Sequence, residues 1–304
     1  MNAVKRMNFP YRLALSTAFS ATSRQPILLR GSIQENLRRA TDLGYDGIEV
    51  HMRPDVEIDV EEIREIMNET GCGISAVVTG KLFTEMGYSL VEDDPARRRE
   101  CVDYMKQYIE IASDFQTDII IGWVKGNVPD EVDPMEFEKR LAKSLAELDH
   151  FADRLDVNLN IELINRYEAN WFNQVNQATR FIQTYQLKRC KIHLDTFHMN
   201  IEERDMVEAV RGAGEHLGYV HIADNDRWYP GHGTIRFEGV LQALEDVEYE
   251  GYLAVECLPL PTGDIAAYMS RENILEIYKQ FRQNKNFYCE SIQGGKKWAN
   301  GHYR

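Results

Sequence analysis

The stretch KIHLDTFHMN, residues 191–200, reads as a short buried strand, Lys191 to Leu194, that stops at Asp195 and is followed three residues later by His198. A carboxylate and an imidazole at the end of an apolar strand have the form of a site. The fold turns on whether that form repeats along the chain.

Outward from this stretch, seven further apolar runs have the length of strands: Leu13 to Phe19, Gly47 to His51, Ile74 to Thr79, Ile119 to Val124, Leu159 to Ile164, Tyr219 to Ile222 and Tyr252 to Glu256. Each is followed by a longer segment with helical spacing. Ser32 with Glu35 and Asp59 with Glu62 have the form of capping boxes, while Asp94-Pro95 and Asp133-Pro134 place a cap ahead of proline at the first helical position. Gly44 and Gly71 mark helix exits. Strict alternation implies a parallel sheet with right-handed crossovers. Eight such units predict an α/β fold of the (β/α)8 TIM-barrel type, for which about 250 residues is typical. The domain is expected to span residues 1–283. Residues 284–304, with GGKK and ANGH, lose helical periodicity and are expected to form a C-terminal extension, flexible or packed on a neighbouring subunit.

The connections are asymmetric. Helix-to-strand segments are short and glycine-rich (LGYDG, TGCG, VEYEG), whereas strand-to-helix segments are long and carry aromatic and charged residues, as in NRYEANWF and ADNDRWYPGHGTIRF. Long decorated loops at strand C-termini are where barrel enzymes build their sites.

Composition narrows the partners. A net charge of −14 over 304 residues opposes sequence-independent binding to nucleic acid or anionic lipid and suits a small neutral ligand. The five cysteines are scattered singly with no Cys-x-x-Cys pair, which indicates neither a disulfide framework nor a zinc knuckle and predicts reduced thiols in a cytoplasmic protein. The patch LALSTAF is too short and too polar for a signal sequence, so it is read as the first strand, and no stretch is long enough to span a membrane.

Four ionisable residues stand at the C-terminal ends of the last four strands: Glu162 in NIELI, Asp195 in HLDTF, His221 in YVHIA and Glu256 in AVECL. They recur about one βα repeat apart, so they face one barrel mouth. Any one alone has an ordinary explanation: a strand-end carboxylate paired with a base, a cap, a satisfied core histidine. Together, three carboxylates and one imidazole would repel unless a divalent cation sat between them. An oxygen-rich set with one nitrogen suits Mn²⁺, Mg²⁺ or Co²⁺, with Zn²⁺ as the remaining choice.

Taken together, IELINRYE, HLDTFHMNIEE, HIADNDR followed by PGHG, and AVE make the second half, about residues 157 to 257, resemble the xylose isomerase-like sugar isomerase and epimerase superfamily, closest to its D-tagatose and D-psicose 3-epimerase branch. The first half is similar only in architecture. The resemblance implies that Glu162, Asp195, His221 and Glu256 bind one metal ion, that Glu162 and Glu256 also act as acid and base, and that Glu168, His198 and Arg227 hold substrate oxygens. The chemistry suits those residue types. A cation chelated by O2 and O3 of a ketose acidifies the C3 proton by stabilising an enediolate, and carboxylates on opposite faces exchange that proton with inversion. Two departures bear on the substrate: Asp224 stands where the family usually has Glu, and Cys257 where a proline commonly follows the last glutamate. Ser16 and Thr17 lie near where relatives place aromatic residues.

Secondary candidates follow from position. Trp123 is read as either a core aromatic or a sugar-stacking ring, and Glu49 with His51 as a structural pair or a support to the ligands. His193 is expected to face the core or back the ligands, and Trp228 with Tyr229 to form a lid. The expected function is a metal-dependent ketose 3-epimerase acting on a small-molecule sugar, in a homodimer or homotetramer. The alternatives are an aldose-ketose or sugar-phosphate isomerase using the same site, a hydro-lyase on an inositol-type keto substrate, and a non-catalytic sugar-binding protein. Endonuclease chemistry needs a histidine-rich multi-metal site and a basic groove, which eight histidines and the negative charge oppose.

Overall fold

A computed structural model of the chain describes residues 9–298, with side chains to residue 284. Its strands are β1 (Arg12–Ala18), β2 (Leu29–Arg30), β3 (Gly47–His51), β4 (Gly73–Val78), β5 (Asp118–Ile121), β6 (Leu159–Glu162), β7 (Cys190–Asp195), β8 (Leu217–Ile222) and β9 (Tyr252–Val255). The helices are α1 (Ile33–Asp42), α2 (Val60–Thr70), α3 (Gly80–Thr84), α4 (Pro95–Asp114), α5 (Pro134–Asp153), α6 (Val175–Tyr185), α7 (Thr196–Glu202), α8 (Met206–Ala213), α9 (Phe237–Asp246) and α10 (Gly263–Trp298).

All pairings are parallel, in the order β2-β1-β3-β4-β5-β6-β7-β8-β9, and a further β1–β9 pairing closes the sheet. Eight strands therefore make the barrel, as the alternation predicted. The ninth, β2, is a two-residue strand that follows no periodicity rule. It borders β1 at Thr17 and Ala18, above the Arg12 to Leu15 stretch that pairs with β9.

Local chemistry explains the helix ends. Ser32 and Glu35 cap α1 reciprocally, and Asp94 and Asp133 cap α4 and α5 ahead of Pro95 and Pro134. Asp59 caps α2 through its side chain to Glu62 N, and Gly71 closes that helix in the left-handed conformation, with φ 71°. The run Ile119 to Val124 is shorter than its apolar pattern suggests. The strand ends at Ile121, and Trp123–Lys125 form a 3-10 turn.

Two cores result. The larger lies between barrel and helices and includes Leu37, Ile63, Tyr108, Phe137, Phe181 and Phe237. The smaller fills the barrel with Ala14, Ala76, Val78, Ile120, Tyr219 and Ala254, and the Tyr219 hydroxyl shares a hydrogen bond of 2.7 Å with Ser75 Oγ. Small side chains plug the barrel below and leave its upper end to polar residues.

The last helix does not end where lost periodicity placed its end near residue 283. It continues unbroken as α10 to Trp298, and residues 299–304 lie outside the described part. Cys72, Cys101, Cys190 and Cys257 are free and buried, while the Cys289 side chain lies outside the described side chains. Among the described residues, no helix is long and apolar enough to cross a membrane.

Candidate active site

Strand register gathers the four strand-end residues. Asp195 and His221 are direct partners across β7 and β8, Glu162 pairs with His193 across β6 and β7, and His221 pairs with Ala254, two residues before Glu256. Since side chains alternate along a strand, all four point into the barrel mouth. One ligand-type atom from each of Glu162, Asp195, His221 and Glu256 lies within 4.8 Å of the others. His221 Nδ1 is 3.3 Å from Glu256 Oε2, 3.8 Å from Asp195 Oδ2 and 3.9 Å from Glu162 Oε1.

The buried Glu49 carboxylate decides which face of His221 looks inward. Its Oε2 accepts from His221 Nε2 at 2.6 Å, and its Oε1 accepts from His51 Nε2 at 2.8 Å. A carboxylate can only accept, so His221 keeps a proton on Nε2 and turns Nδ1 toward the cluster, where loss of the second proton frees its lone pair. That nitrogen is buried and makes no hydrogen bond. A buried imidazole nitrogen facing three carboxylates could hold a cation once it gives up its proton, and a carboxylate behind the ring is the usual support for such a ligand. His193, fully buried, stacks edge-on against His221 with ring centroids 4.1 Å apart and holds the ring from below.

A cavity of about 450 Å³ opens over the cluster and is lined by Trp123, Glu162, Glu168, His198, Arg227 and Glu256, among others. Asn165 ties two of these together: its Nδ2 donates to Glu168 Oε1 at 3.0 Å and to His198 Nδ1 at 2.8 Å. His198 therefore presents Nε2–H, 3.8 Å from both Glu162 Oε1 and Asp195 Oδ2. Arg227 donates to Asp195 Oδ2 at 2.5 Å and contacts Glu256 Oε2, while its guanidinium lies 4.7 Å from the centre of the Phe197 ring. It does so with φ 62°, a left-handed conformation rare for such a side chain. Hydrogen bonds from Arg227 N to Asp224 O and from Leu258 N to Arg227 O hold it there, a strain that buried sites commonly carry.

The electrostatics are those of crowded carboxylates out of water. Burial, then Glu256, pushes Glu162 up to about 8. Asp195 is held well below the carboxylate range, because Arg227 and then His198 outweigh the opposing effect of burial. Burial lowers His198 to about 4, so its ring is neutral at physiological pH. For His221 burial acts the other way from the outcome: Glu49 and Glu256 outweigh it and raise the ring above the ordinary histidine range. Lys125 lies fully buried, its Nζ 3.3 Å from Gly122 O, and burial lowers it to about 8 against the pull of Glu162 and Glu168.

Residues 37–271 match the family described as the xylose isomerase-like TIM barrel. A D-psicose 3-epimerase of Enterocloster bolteae is 30% identical over 238 residues, covering 75% of this chain and 78% of its own. The chain belongs to the xylose isomerase-like TIM-barrel family. A 3-dehydro-D-guloside 4-epimerase of Escherichia coli is 28% identical over 74% of this chain and 87% of its own. A solved L-ribulose 3-epimerase superposes with a TM-score of 0.78 at 24% identity, covering 91% of this chain and 98% of that one, which shows the shared fold. This member of the family is an isomerase-class enzyme, as its epimerase relatives are.

In this xylose isomerase-like chain, not every residue singled out from sequence reaches the cavity. Trp228 and Tyr229, read as lid residues, pack within their own loop; Trp228 stacks on His232 with centroids 4.4 Å apart, and neither lines the cavity. Asp224 is fully buried and accepts from the backbone of Asn225, Gly231 and Ile235, so it shapes the loop and meets no ligand space. Ser16 donates to Pro26 O and Thr17 to Glu49 O, and neither lines this cavity. Trp123 is not a core aromatic: it is 38% exposed and lines the cavity.

Three participants had no usable signal. Lys125 looks like any loop lysine, and Gln25 to Ile27 enter the wall only because β2 folds that segment over the mouth. Gly122 is needed for space: a Cβ there would stand 2.7 Å from Glu162 Oε2. Asn165 could have been noticed, since it lies just past the β6 end inside IELINRYE.

Proposed function

We propose that the chain is a divalent-metal-dependent sugar epimerase that inverts the carbon next to a ketose carbonyl, C3 of a 2-ketose, with Glu162 and Glu256 exchanging the proton. The observation that carries this reading is the unpartnered His221 Nδ1 among three carboxylates, at the floor of a cavity otherwise furnished for hydroxyl groups. Glu162, Asp195, His221 and Glu256 would hold the cation, which when bound supplies Lewis-acid stabilisation of the oxygens that gain charge.

The side chains divide the remaining work. Glu162 and Glu256 project from β6 and from the end of β9, separated around the barrel by Asp195 and His221, and so can flank a sugar bound between them. One removes the proton and the other returns one to the opposite face, which inverts the carbon. His198 Nε2–H and the Arg227 guanidinium donate to oxygens near the developing charge, and Glu168, turned by Asn165, accepts from a hydroxyl farther along the chain. Trp123 offers an apolar face to the sugar. Mn²⁺, Mg²⁺ and Co²⁺ suit the donor set best. Assembly into a dimer or tetramer, with the end of α10 against a neighbour, belongs to the same proposal.

A second position for the chemistry is favoured by the 28% identical 3-dehydro-D-guloside 4-epimerase. With the carbonyl at C3, the same residues would exchange the proton at C4. Incubation with 2-ketoses and 3-keto sugars in D2O and Mn²⁺, followed by NMR location of the label, tests the reading. Deuterium at C3 of a 2-ketose or at C4 of a 3-keto sugar, with the epimer and no aldose, is expected. Label at C1 or C2 with aldose formation would make the chain an aldose-ketose isomerase, an unsaturated product would make it a hydro-lyase, and either would overturn the proposal.

A further inference from the structure

A second cavity, also of about 450 Å³, adjoins the first and shares His51 with it as a common wall. His51 ends β3, two residues above Glu49 on the same face, and its register partners are Ala18 on β1 and Val78 on β4. Strand alternation thus puts the Glu49 carboxylate in the closed part of the barrel and the His51 ring at its mouth. The burial agrees: the Glu49 side chain is fully buried, whereas that of His51 is 14% exposed.

His51 Nε2 donates to Glu49 Oε1 at 2.8 Å, the oxygen that His221 leaves free. One carboxylate therefore fixes two imidazoles through the same ring atom, and in both it is Nδ1 that turns elsewhere. The two Nδ1 atoms differ in their surroundings. That of His221 is closed off among the carboxylates, while that of His51 has no partner among the described residues and stays accessible on the cavity wall. A ring clamped from behind, with its second nitrogen open to a cavity, is a hydrogen-bonding group already held in position, so little freedom is lost when a ligand meets it.

Placement in the barrel says which part of a ligand that is. The closed order β1-β3-β4-β5-β6-β7-β8-β9 sets β3 across the mouth from β7, which leads into α7 and His198. His51 Nε2 also lies 4.0 Å from Glu256 Oε1, so a sugar held between Glu162 and Glu256 passes beside the ring. The oxygens that gain charge belong to the ligand cluster, Arg227 and His198, which leaves His51 one of the remaining hydroxyls.

We infer that His51 is a specificity-determining residue: its Nδ1 meets a hydroxyl of the bound ketose on the side away from His198, at a carbon other than the one that epimerises. A sugar hydroxyl both donates and accepts, so the contact forms in either protonation state of the ring. This deepens the epimerase reading and rests on it for the class of substrate. Glu49 then aims one histidine at the ligand cluster and the other at the sugar.

The test compares D-fructose with its 1-, 4-, 5- and 6-deoxy analogues on the Mn²⁺-loaded protein, by calorimetry for binding and by proton exchange at C3 in D2O for kcat/KM. In the unaltered protein the analogue that lacks the contacted hydroxyl should be poorer than D-fructose by about fivefold or more, as for the loss of one hydrogen bond. His51→Ala should close that one gap to within about twofold and leave the gaps that belong to other contacts, such as Glu168. General damage to the site lowers all five sugars alike and cancels in the ratio, so a merely structural role closes no gap. Where His51→Ala does not fold, His51→Phe, which keeps the bulk of the ring without its nitrogens, is read in the same way.

If D-fructose exchanges its proton and no gap closes, the His51 contact is overturned and the epimerase reading stands. If one gap closes in binding but no sugar exchanges a proton, the contact stands and the epimerase reading falls. If none of the five sugars binds or exchanges, both fall.

Discussion

Replacing Glu49, which touches no ligand in the proposed mechanism, should weaken cation binding more than most changes outside the cluster. Its carboxylate is fully buried and accepts two short hydrogen bonds, 2.6 Å from His221 Nε2 and 2.8 Å from His51 Nε2. The first holds a proton on Nε2 and so aims Nδ1 at Glu162, Asp195 and Glu256, and the second anchors the wall between the two cavities. Glu49→Leu removes both acceptors and lets the ring turn or switch tautomer. Loss of such a supporting partner lowers metal affinity by roughly 10–100-fold, or about 1.4–2.8 kcal/mol. Glu49→Gln keeps an acceptor for His221, and its NH2 group can donate to His51 if that ring switches tautomer, so it should fall at the lower end of the range. Mn²⁺ titration of the metal-free protein by calorimetry measures both, with circular dichroism to confirm that each variant is folded. A folded Glu49→Leu protein with unaltered Mn²⁺ affinity would refute the assignment of His221 Nδ1 as a ligand.

Glu162→Gln and Glu256→Gln should each lower proton exchange beside the carbonyl by roughly 10²–10⁴-fold, because each removes a positioned acid-base group, and retained turnover in either would exclude the two-carboxylate mechanism. Gly122→Ala places a Cβ 2.7 Å from Glu162 Oε2, so the carboxylate must shift; kcat is expected to fall about tenfold or more in steady-state assays, with KM less affected. In the metal-free protein, Glu162 has a folded pKa of about 8, above its unfolded value near 4.5. The folded state thus holds an extra proton in that window, and the stability this contributes is full below about 4.5 and lost as pH rises through about 8. Calorimetric Tm values should decline over that window without metal. Mn²⁺ at about 100 times its Kd should raise stability by about 2.7 kcal/mol at neutral pH, and a Tm indifferent to Mn²⁺ would count against the site.

The barrel was legible in the sequence because its signals are local: runs such as Gly47 to His51 alternate with capped helical segments, and caps such as Ser32 with Glu35 act within four residues. The convergence of Glu162, Asp195, His221 and Glu256 was legible for a related reason, since parallel register turns equal places on successive strands into neighbours in space. Where the sequence misled, the deciding contacts were distant. The 223–236 loop folds around Asp224, which draws Trp228 and Tyr229 into their own loop instead of over the cavity.

Sequence alone therefore determined the architecture and the set of ionisable side chains at the barrel mouth, because periodicity and strand ends are properties of consecutive residues. Only the tertiary structure decided that Glu49 turns His221 Nδ1 inward, that Asn165 orients His198, that Lys125 is buried beside the carboxylates, and that a second cavity shares His51 with the first. Those are contacts between residues far apart in the chain, and a hydrogen bond such as that between Glu49 and His221 depends on distance and direction in space, which no spacing along the sequence encodes.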